Sequence, residues 1–343
     1  MNRLILLSLI SFATATVLFA DAASDWQSIL ALDAGPQRKP SGREEALLTA
    51  RNHLLLQKRA LKGFLARYPQ DEQAPRAKLR LAGILATEGN MDRDPGTIRG
   101  ALKMLEALES DPATPPAVRA DAAFRRVSIV MQSQDASTRK GMEAVVAAAR
   151  GFAAGFPSDP RAPRLLVEAA TVCDSRPEIK AALLDEASAL SPEDALRRRI
   201  ADDKKRLALL GKPFELSLPG IKSGAVDTRN LLGEPVVVVF WATDAPQSMI
   251  WLRDFAVTWL RKGARSPRVV AISLDASKKT ATAMAAELPP QWLVAYEPGG
   301  WMSPTARRLG INALPTVWGV NRVGVLVSLN AKTGWEALAA SEK

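Results

Sequence analysis

The sequence is short of the residues that most enzyme chemistry uses: among 343 residues it has one cysteine, Cys173, and one histidine, His53. A single cysteine cannot form an internal disulfide, so packing has to stabilise the fold. A single histidine argues against histidine-based triads and histidine metal clusters, and we assign His53 to a helix surface. There is also no phosphate-binding loop and no paired-cysteine zinc spacing. We therefore expect no metal site and no cofactor.

Long apolar runs are also scarce, and the one that exists lies at the amino terminus. The opening stretch MNRLILLSLISFATATVLFADAA has an arginine, an apolar run and then Ala-Asp-Ala, the small-x-small pattern of a signal-peptidase site. We interpret residues 1–22 as a cleaved signal peptide; the alternative is an uncleaved membrane anchor. The sequence thus predicts export to the periplasm or cell envelope, and it allows peripheral association with the envelope.

Basic residues are in moderate excess, with 46 lysines and arginines against 36 acidic residues and a formal charge of +10. The basic triplets Arg197–Arg199 and Lys204–Arg206 share one helix-like stretch with acidic residues. Such a mixture is typical of a solvated helix face, so we expect no nucleic-acid partner. The net charge remains compatible with acidic partner surfaces.

Residues 23–210 are rich in alanine, leucine, arginine and glutamate, with apolar residues at helical spacing. An internal repeat is visible there: FLARYPQDEQAPRAKL from Phe64 and FAAGFPSDPRAPRLLV from Phe152 align without a gap. The pattern predicts a helix, a proline-containing corner and a second helix, stacked against neighbouring pairs. This region looks like a tetratricopeptide (TPR)-like helical array; the alternative is an irregular helical bundle with one duplicated hairpin.

Residues 211–343 have a different texture and contain seven of the eight tryptophans. PVVVVFWAT and RVVAISLD are short, apolar and rich in valine, as expected of strands covered on both faces, and a helical stretch separates them. A later strand, a short helix and a hairpin around Asn321–Gly324 follow. The fold class predicted is two-domain: an all-α helical repeat over residues 23–210, then an α/β domain over residues 211–343.

The landmarks of the second domain resemble the TlpA/ResA-like branch of the thioredoxin superfamily, which are exported thiol-disulfide proteins of the redoxin type. The resemblance rests on GKPFELSLPG, VDTRNLLGEPVVVVFWAT and LGINALPTVWGVNRVGVLV in this order. It implies a thioredoxin-like fold with a cis-proline at Pro315 and a terminal hairpin.

The same resemblance implies a redox active site directly after FWAT, where family members continue with Trp-Cys-x-x-Cys. In this sequence Asp244, Ala245, Pro246, Gln247 and Ser248 follow instead, so the two cysteine positions are degenerate. Ala245 stands at the attacking position and Ser248 at the resolving one. Disulfide exchange needs a thiolate to attack and a second thiol to release the mixed disulfide. We therefore assign no catalytic residue.

Two further residues bear on the degenerate site. In relatives the backbone just before the cis-proline pairs with an extended segment of the bound protein, so Asp244, Pro246, Leu314 and Pro315 form a candidate binding groove. The alternative is that Pro315 only shapes its loop. Cys173, on an apolar helix of the other domain, is expected to be a buried hydrophobe; the alternative is a reactive thiol.

Three functions from different classes follow. The first, which we favour, is an exported non-catalytic thioredoxin-like protein that binds or scaffolds a protein or peptide partner in the periplasm or envelope. The second is a thiol-disulfide oxidoreductase with a residual or partner-dependent redox role. The third is a small-molecule binder near Asp244, Ser248 and Pro315. The sequence does not fix the oligomeric state.

Overall fold

The computed structural model describes residues 21–36, 40–190, 192–222, 224–263, 266–332, 334–335 and 338. Residue contacts divide the chain into two units, Met1–Ile129 and Val130–Lys343. The sequence changes from an all-helical pattern to alternating strands and helices at residue 210, which lies inside the second unit. The second unit therefore contains helices from the amino-terminal region as well as the α/β region. Most of the predicted signal peptide, residues 1–20, lies outside the described residues.

Helices account for most of the described chain between residue 22 and residue 207, as the apolar spacing predicts. Proline occupies one of the first two positions of several of them, where its missing N–H costs no helical hydrogen bond. The helices are α1 (Ala22–Ala31), α2 (Arg43–Arg67), α3 (Ala74–Asp92), α4 (Pro95–Ser110), α5 (Pro116–Ser133), α6 (Arg139–Gly155), α7 (Arg161–Thr171), α8 (Pro177–Ala189) and α9 (Asp194–Leu207). Within the described residues, no helix has the length and apolarity needed to span a bilayer.

The internal repeat corresponds to a recurring corner between helices. Phe64 near the end of α2 and Phe152 near the end of α6 are both fully buried. Each packs at a tilt against the aromatic residue four positions later, with ring centroids 5.2 and 5.3 Å apart. Asp71 and Asp159 then accept a hydrogen bond from the backbone N–H two residues ahead, at 2.8 and 2.9 Å. The matching sequence positions thus build the same local turn.

Each unit has its own apolar core. In the first unit Trp26 of α1 packs on Phe64 with ring centroids 5.5 Å apart, within a cluster that also takes Leu61 of α2 and Leu81 of α3. A second cluster joins α3, α4 and α5 around the fully buried Leu105. These clusters bury one face of each helix, which is what stabilises helices of this length.

The α/β part of the second unit contains strands and helices in the predicted order. They are β1 (Ser217–Pro219), β2 (Ala225–Asp227), β3 (Val236–Trp241), α10 (Pro246–Lys262), β4 (Arg268–Ser273), α11 (Lys278–Ala285), β5 (Leu293–Tyr296), α12 (Pro304–Leu309), β6 (Thr316–Val320) and β7 (Leu326–Ser328). Five strands form one sheet in the order β5-β4-β3-β6-β7, and β1 and β2 pair separately. Strands β3, β4 and β5 are parallel, whereas β6 and β7 run antiparallel to their neighbours.

Strand β3 lies at the centre of the sheet and is buried on both faces. Val236, Val238 and Phe240 belong to one apolar cluster, while the alternate side chains of the strand belong to the cluster on the opposite face. This explains the unbroken apolar run in the sequence, because both faces of the strand are covered by protein. Packing on both faces therefore fixes the position of the carboxyl end of β3.

Candidate functional site

The chain leaves β3 through a tight turn that a buried carboxylate anchors. Asp275, which follows β4 and is only 4% exposed, accepts hydrogen bonds from the Thr243 backbone N–H at 2.8 Å and the Thr243 hydroxyl at 2.6 Å. Its other oxygen accepts from the Ser273 hydroxyl at 2.8 Å. Both oxygens of the buried carboxylate are thus satisfied within the protein, which fixes the turn.

The helix α10 begins directly after this turn, where the resemblance places the redox motif. Ala245 is its N-cap, with φ −104° and ψ 94°, and Pro246 occupies the first helical position, which suits proline. No side chain caps the helix at this residue. Asp244, Pro246 and Gln247 are exposed, and Ala245 is half-buried.

The other degenerate position, Ser248, is sealed from solvent. Its residue is fully buried, and its hydroxyl has no hydrogen-bond partner among the described residues. The Ser248 backbone N–H donates to the Ala245 carbonyl at 2.9 Å, as in an ordinary first helical turn. Neither position carries a nucleophile suited to disulfide exchange, because one is a methyl group and the other a buried alcohol.

The expected cis-proline is present, since the Leu314–Pro315 peptide bond is cis. The β3–β6 register ends with Phe240 opposite Thr316, so Pro315 directly precedes the last paired residue of β6. Pro315 is buried, and Leu314 is half-buried and packs on the core. The structure therefore brings Pro315 to the end of β3, next to the turn that carries Asp244 and Ala245.

A cleft of about 630 Å³ opens beside the cis-proline. We call it the α9 cleft, because helix α9 forms one side of it. Other parts are formed by residues 312–313, 315–318, 329–330 and 332. Of the four residues predicted to form a binding groove, Pro315 lines this cleft, whereas Asp244, Pro246 and Leu314 do not. This cleft is therefore displaced from the degenerate cysteine positions toward α9.

Several charges in the α9 cleft are held in fixed pairs. Lys180, which is 7% exposed, pairs with Asp174 at 2.5 Å, and the second oxygen of Asp174 accepts from the Asn330 amide at 3.0 Å. Arg206 pairs with the buried Asp203. Burial lowers the pKa of the Arg206 guanidinium, and the positive charge of Arg199 acts in the same direction.

Three cations of the cleft have no such partner. Arg198 and Arg199 of α9 and Lys332 line the cleft, and none of them forms an ion pair or side-chain hydrogen bond with a described residue. Desolvation lowers the pKa of the Lys332 ammonium, and the charge of Asp174 opposes this shift. The sequence placed these arginines on a solvated helix face, and they are indeed exposed. Their position at a cleft depends on contacts with residues more than a hundred positions away, which no local pattern reveals.

The remaining candidate residues are not at the cleft. Cys173 is fully buried, as expected of a packing residue, and its thiol donates to the Ala169 carbonyl at 3.3 Å. Burial raises the pKa of the Cys173 thiol, so the reactive thiolate is disfavoured. His53 lies in α2 and is half-buried. The described residues contain no group of metal-ligating side chains close enough to hold an ion.

The sheet order β5-β4-β3-β6-β7, the helix that starts directly after the central strand and the cis-proline beside that strand define a thioredoxin-like domain. In this chain the domain follows an all-helical region and lacks both active-site cysteines. The thioredoxin-like fold predicted from the sequence landmarks is thereby confirmed.

Solved structures similar to this chain include three thioredoxin-like examples. A putative thiol:disulfide interchange protein DsbE from Chlorobium tepidum is 28% identical over 38% of this chain and 93% of its own, with a TM-score of 0.30. An uncharacterized thioredoxin-like protein from Bacteroides vulgatus is 20% identical over 37% and 83%, with a TM-score of 0.33. A thioredoxin-like protein from Bacteroides caccae is 12% identical over 71% and 94%, with a TM-score of 0.43.

No protein-family model matches the chain. No curated protein matches it either.

Proposed function

We propose that the protein is an exported, redox-inactive thioredoxin-like binding protein that holds an extended segment of a partner protein in the α9 cleft. The observation that carries this proposal is that the chain keeps the thioredoxin-like fold around the site but lacks the two cysteine thiols. The turn after β3, the start of α10 and cis-Pro315 are all in place, yet Ala245 and Ser248 occupy the cysteine positions.

The backbone beside the cleft supports binding of an extended segment. The backbone N–H groups of Asn312, Ala313 and Leu314 donate to no described residue, and the first two of these residues are exposed. An added peptide segment can pair with free main-chain N–H groups, and such hydrogen bonds supply affinity without covalent chemistry. Pro315, next in the chain, lines the cleft.

The burial of Cys173 also supports the absence of redox chemistry. The one thiol of the chain, Cys173, is buried and bonded to a backbone carbonyl. Thiol-disulfide exchange requires an accessible thiolate, which this residue does not provide. A redox role would therefore need a cysteine from another molecule.

Export is proposed from the amino-terminal sequence and is tested separately. The apolar run followed by Ala-Asp-Ala supports secretion with cleavage near residue 22. Asp21 accepts a hydrogen bond from the Ser24 backbone N–H at 2.7 Å as the N-cap of α1, so the cleavage site decides whether the mature helix keeps this cap. Cell fractionation measures whether the protein is exported, and the intact mass of the mature chain gives the cleavage site.

The binding proposal is tested by site-specific photo-crosslinking in intact cells. A photoreactive residue at Ala313, beside the cleft, is compared with one at Val323, which is 71% exposed at the hairpin turn. We expect a discrete crosslinked partner from position 313 and none from position 323. Equal crosslinking from both positions, or turnover of insulin disulfides by the purified wild-type chain, would contradict the proposal.

A further inference from the structure

The α9 cleft has an excess of positive charge that the protein itself does not neutralise. Its lining acids are already engaged: Asp174 with Lys180, Asp203 with Arg206, and Asp202 with Lys205 at 3.0 Å. Arg198, Arg199 and Lys332 therefore line the cleft without an ion pair to a described residue, although the charge of Asp174 still acts on Lys332.

Two of these unpaired cations lie on α9, and the third comes from a distant part of the chain. Arg198 and Arg199 are consecutive residues of the helix, whereas Lys332 follows β7. All three contribute to the lining of one cleft. Convergence of like charges from separate segments is unfavourable without a counter-charge, because each charge repels the others through partly desolvated space.

Two cations of the cleft are also partly desolvated. Desolvation lowers the pKa values of both Arg206 and Lys332. The charges of Asp202 and Asp174 oppose the shift at Arg206, where the charge of Arg199 adds to it, and Asp174 opposes the shift at Lys332. A carboxylate placed among these groups would replace lost hydration and oppose the repulsion. The site thus favours an anionic ligand over a neutral one.

The free backbone favours a peptide over a small anion. Asn312 and Ala313 line the cleft, and their backbone N–H groups donate to no described residue. An extended peptide can pair with this segment along its length and present side chains to both sides, whereas a small carboxylate can reach only one or two of these groups at once.

We infer that the α9 cleft selects acidic segments: the docking segment of the partner carries carboxylate side chains that pair with Arg198, Arg199 and Lys332. This inference rests on the proposed binding function and names the chemistry of the partner. The formal charge of +10 on the whole chain would also speed the approach of an acidic partner.

The test compares the full-length mature protein with two neutralised double variants. R198Q/R199Q removes the two unpaired arginines of the cleft. R197Q/K204Q makes the same change in net charge on the same helix, at residues that do not line the cleft and pair with Asp194 and Asp185 instead. The probes are a short extended peptide with glutamate at alternate positions, its glutamine counterpart, and free succinate.

We expect the glutamate peptide to bind the wild type about tenfold more tightly than the glutamine peptide, with the difference shrinking at high salt. R198Q/R199Q should lose most of this difference, while R197Q/K204Q keeps it. Equal binding of the two peptides, or equal losses in the two variants, overturns the inference. Succinate that binds as tightly as the glutamate peptide also overturns it, because the cleft would then be a small-anion site.

The crosslink at Ala313 separates failure of this inference from failure of the proposed function. A crosslinked partner that persists unchanged in R198Q/R199Q would leave the binding function standing and refute acidic selectivity. No crosslink in the wild type, together with no peptide binding, would refute both. We expect the crosslink to weaken in R198Q/R199Q and to persist in R197Q/K204Q.

Discussion

A Cβ added at Gly310 would stand 2.5 Å from the carbonyl oxygen of Asp202, so the loop before the cis-proline meets helix α9 in a space that only glycine leaves open. Gly310 also ends α12 with a φ of +66°, in the left-handed region. One turn along α9, Arg206 donates to the Gly310 carbonyl and, at 2.9 Å, to the Asn312 side chain. These contacts fix one side of the α9 cleft.

Gly310→Ala should therefore combine left-handed backbone strain with a clash against backbone. We expect a loss of about 3 kcal/mol in the free energy of unfolding, measured by denaturant titration. Gly211→Ala is the matched control, because Gly211 has a φ of +77° but no atom within 4 Å of the added Cβ. That variant should lose only about 1 kcal/mol. Equal losses at the two positions would mean that the close approach to α9 contributes nothing.

Asp275→Ala tests the anchor of the turn after β3. The substitution leaves the Thr243 N–H and hydroxyl and the Ser273 hydroxyl without their common acceptor. We expect a loss on the order of 3 kcal/mol in the free energy of unfolding and faster proteolysis within residues 242–246.

Asp254→Ala is the control for the anchor, since Asp254 is exposed on α10 and its carboxylate forms no ion pair or hydrogen bond with a described residue. It should change stability by less than about 0.5 kcal/mol. If Asp275→Ala behaved in the same way, the buried carboxylate would not be what holds the turn.

Restoring both cysteines should restore thiol chemistry if the scaffold is intact. In the double variant Ala245→Cys/Ser248→Cys, the first thiol would sit at the amino terminus of α10, where the helix dipole lowers a thiol pKa. We expect this variant to form an internal disulfide and to reduce insulin, while the wild type and either single variant do not. Alkylation rates against pH measure the pKa of the introduced thiol.

A double variant that folds yet neither oxidises nor exchanges disulfides would show that the loss of chemistry goes beyond the two side chains. Ser248 is fully buried in the wild type, so the Ser248→Cys single variant should resist alkylation in the folded state. That measurement separates an inaccessible second position from a misfolded domain.

The features that the sequence predicted well are those that a few consecutive residues determine. Strand β3 could be recognised because both its faces are buried, and the repeated corners because Asp71 and Asp159 bond within their own turns. The α9 cleft could not be recognised in this way. Arg206 meets Gly310 across 104 positions, and Asp275 meets Thr243 across 32. Such contacts depend on how helices pack on the sheet, and this packing produces no periodic pattern or local motif in the sequence.

Cys173 provides a test of pH dependence. Burial raises the pKa of its thiol above the ordinary value of 9.0, so the unfolded chain ionises before the folded one. Folding stability should then be unaffected by this residue below pH 9.0 and should fall as the pH rises above it, through the folded-state pKa. Cys173→Ala lacks this titration, so the difference in unfolding free energy between wild type and variant should narrow above pH 9.0.

Thiol labelling checks the same residue by a direct route. With its side chain fully buried, Cys173 should react with a disulfide reagent only as fast as the surrounding helices open, and at full rate in denaturant. Rapid labelling of the native protein, or a stability difference that stays flat with pH, would place a reactive thiol on this chain. The redox-inactive interpretation would then lose its second support, because a thiolate could pair with a cysteine of the partner.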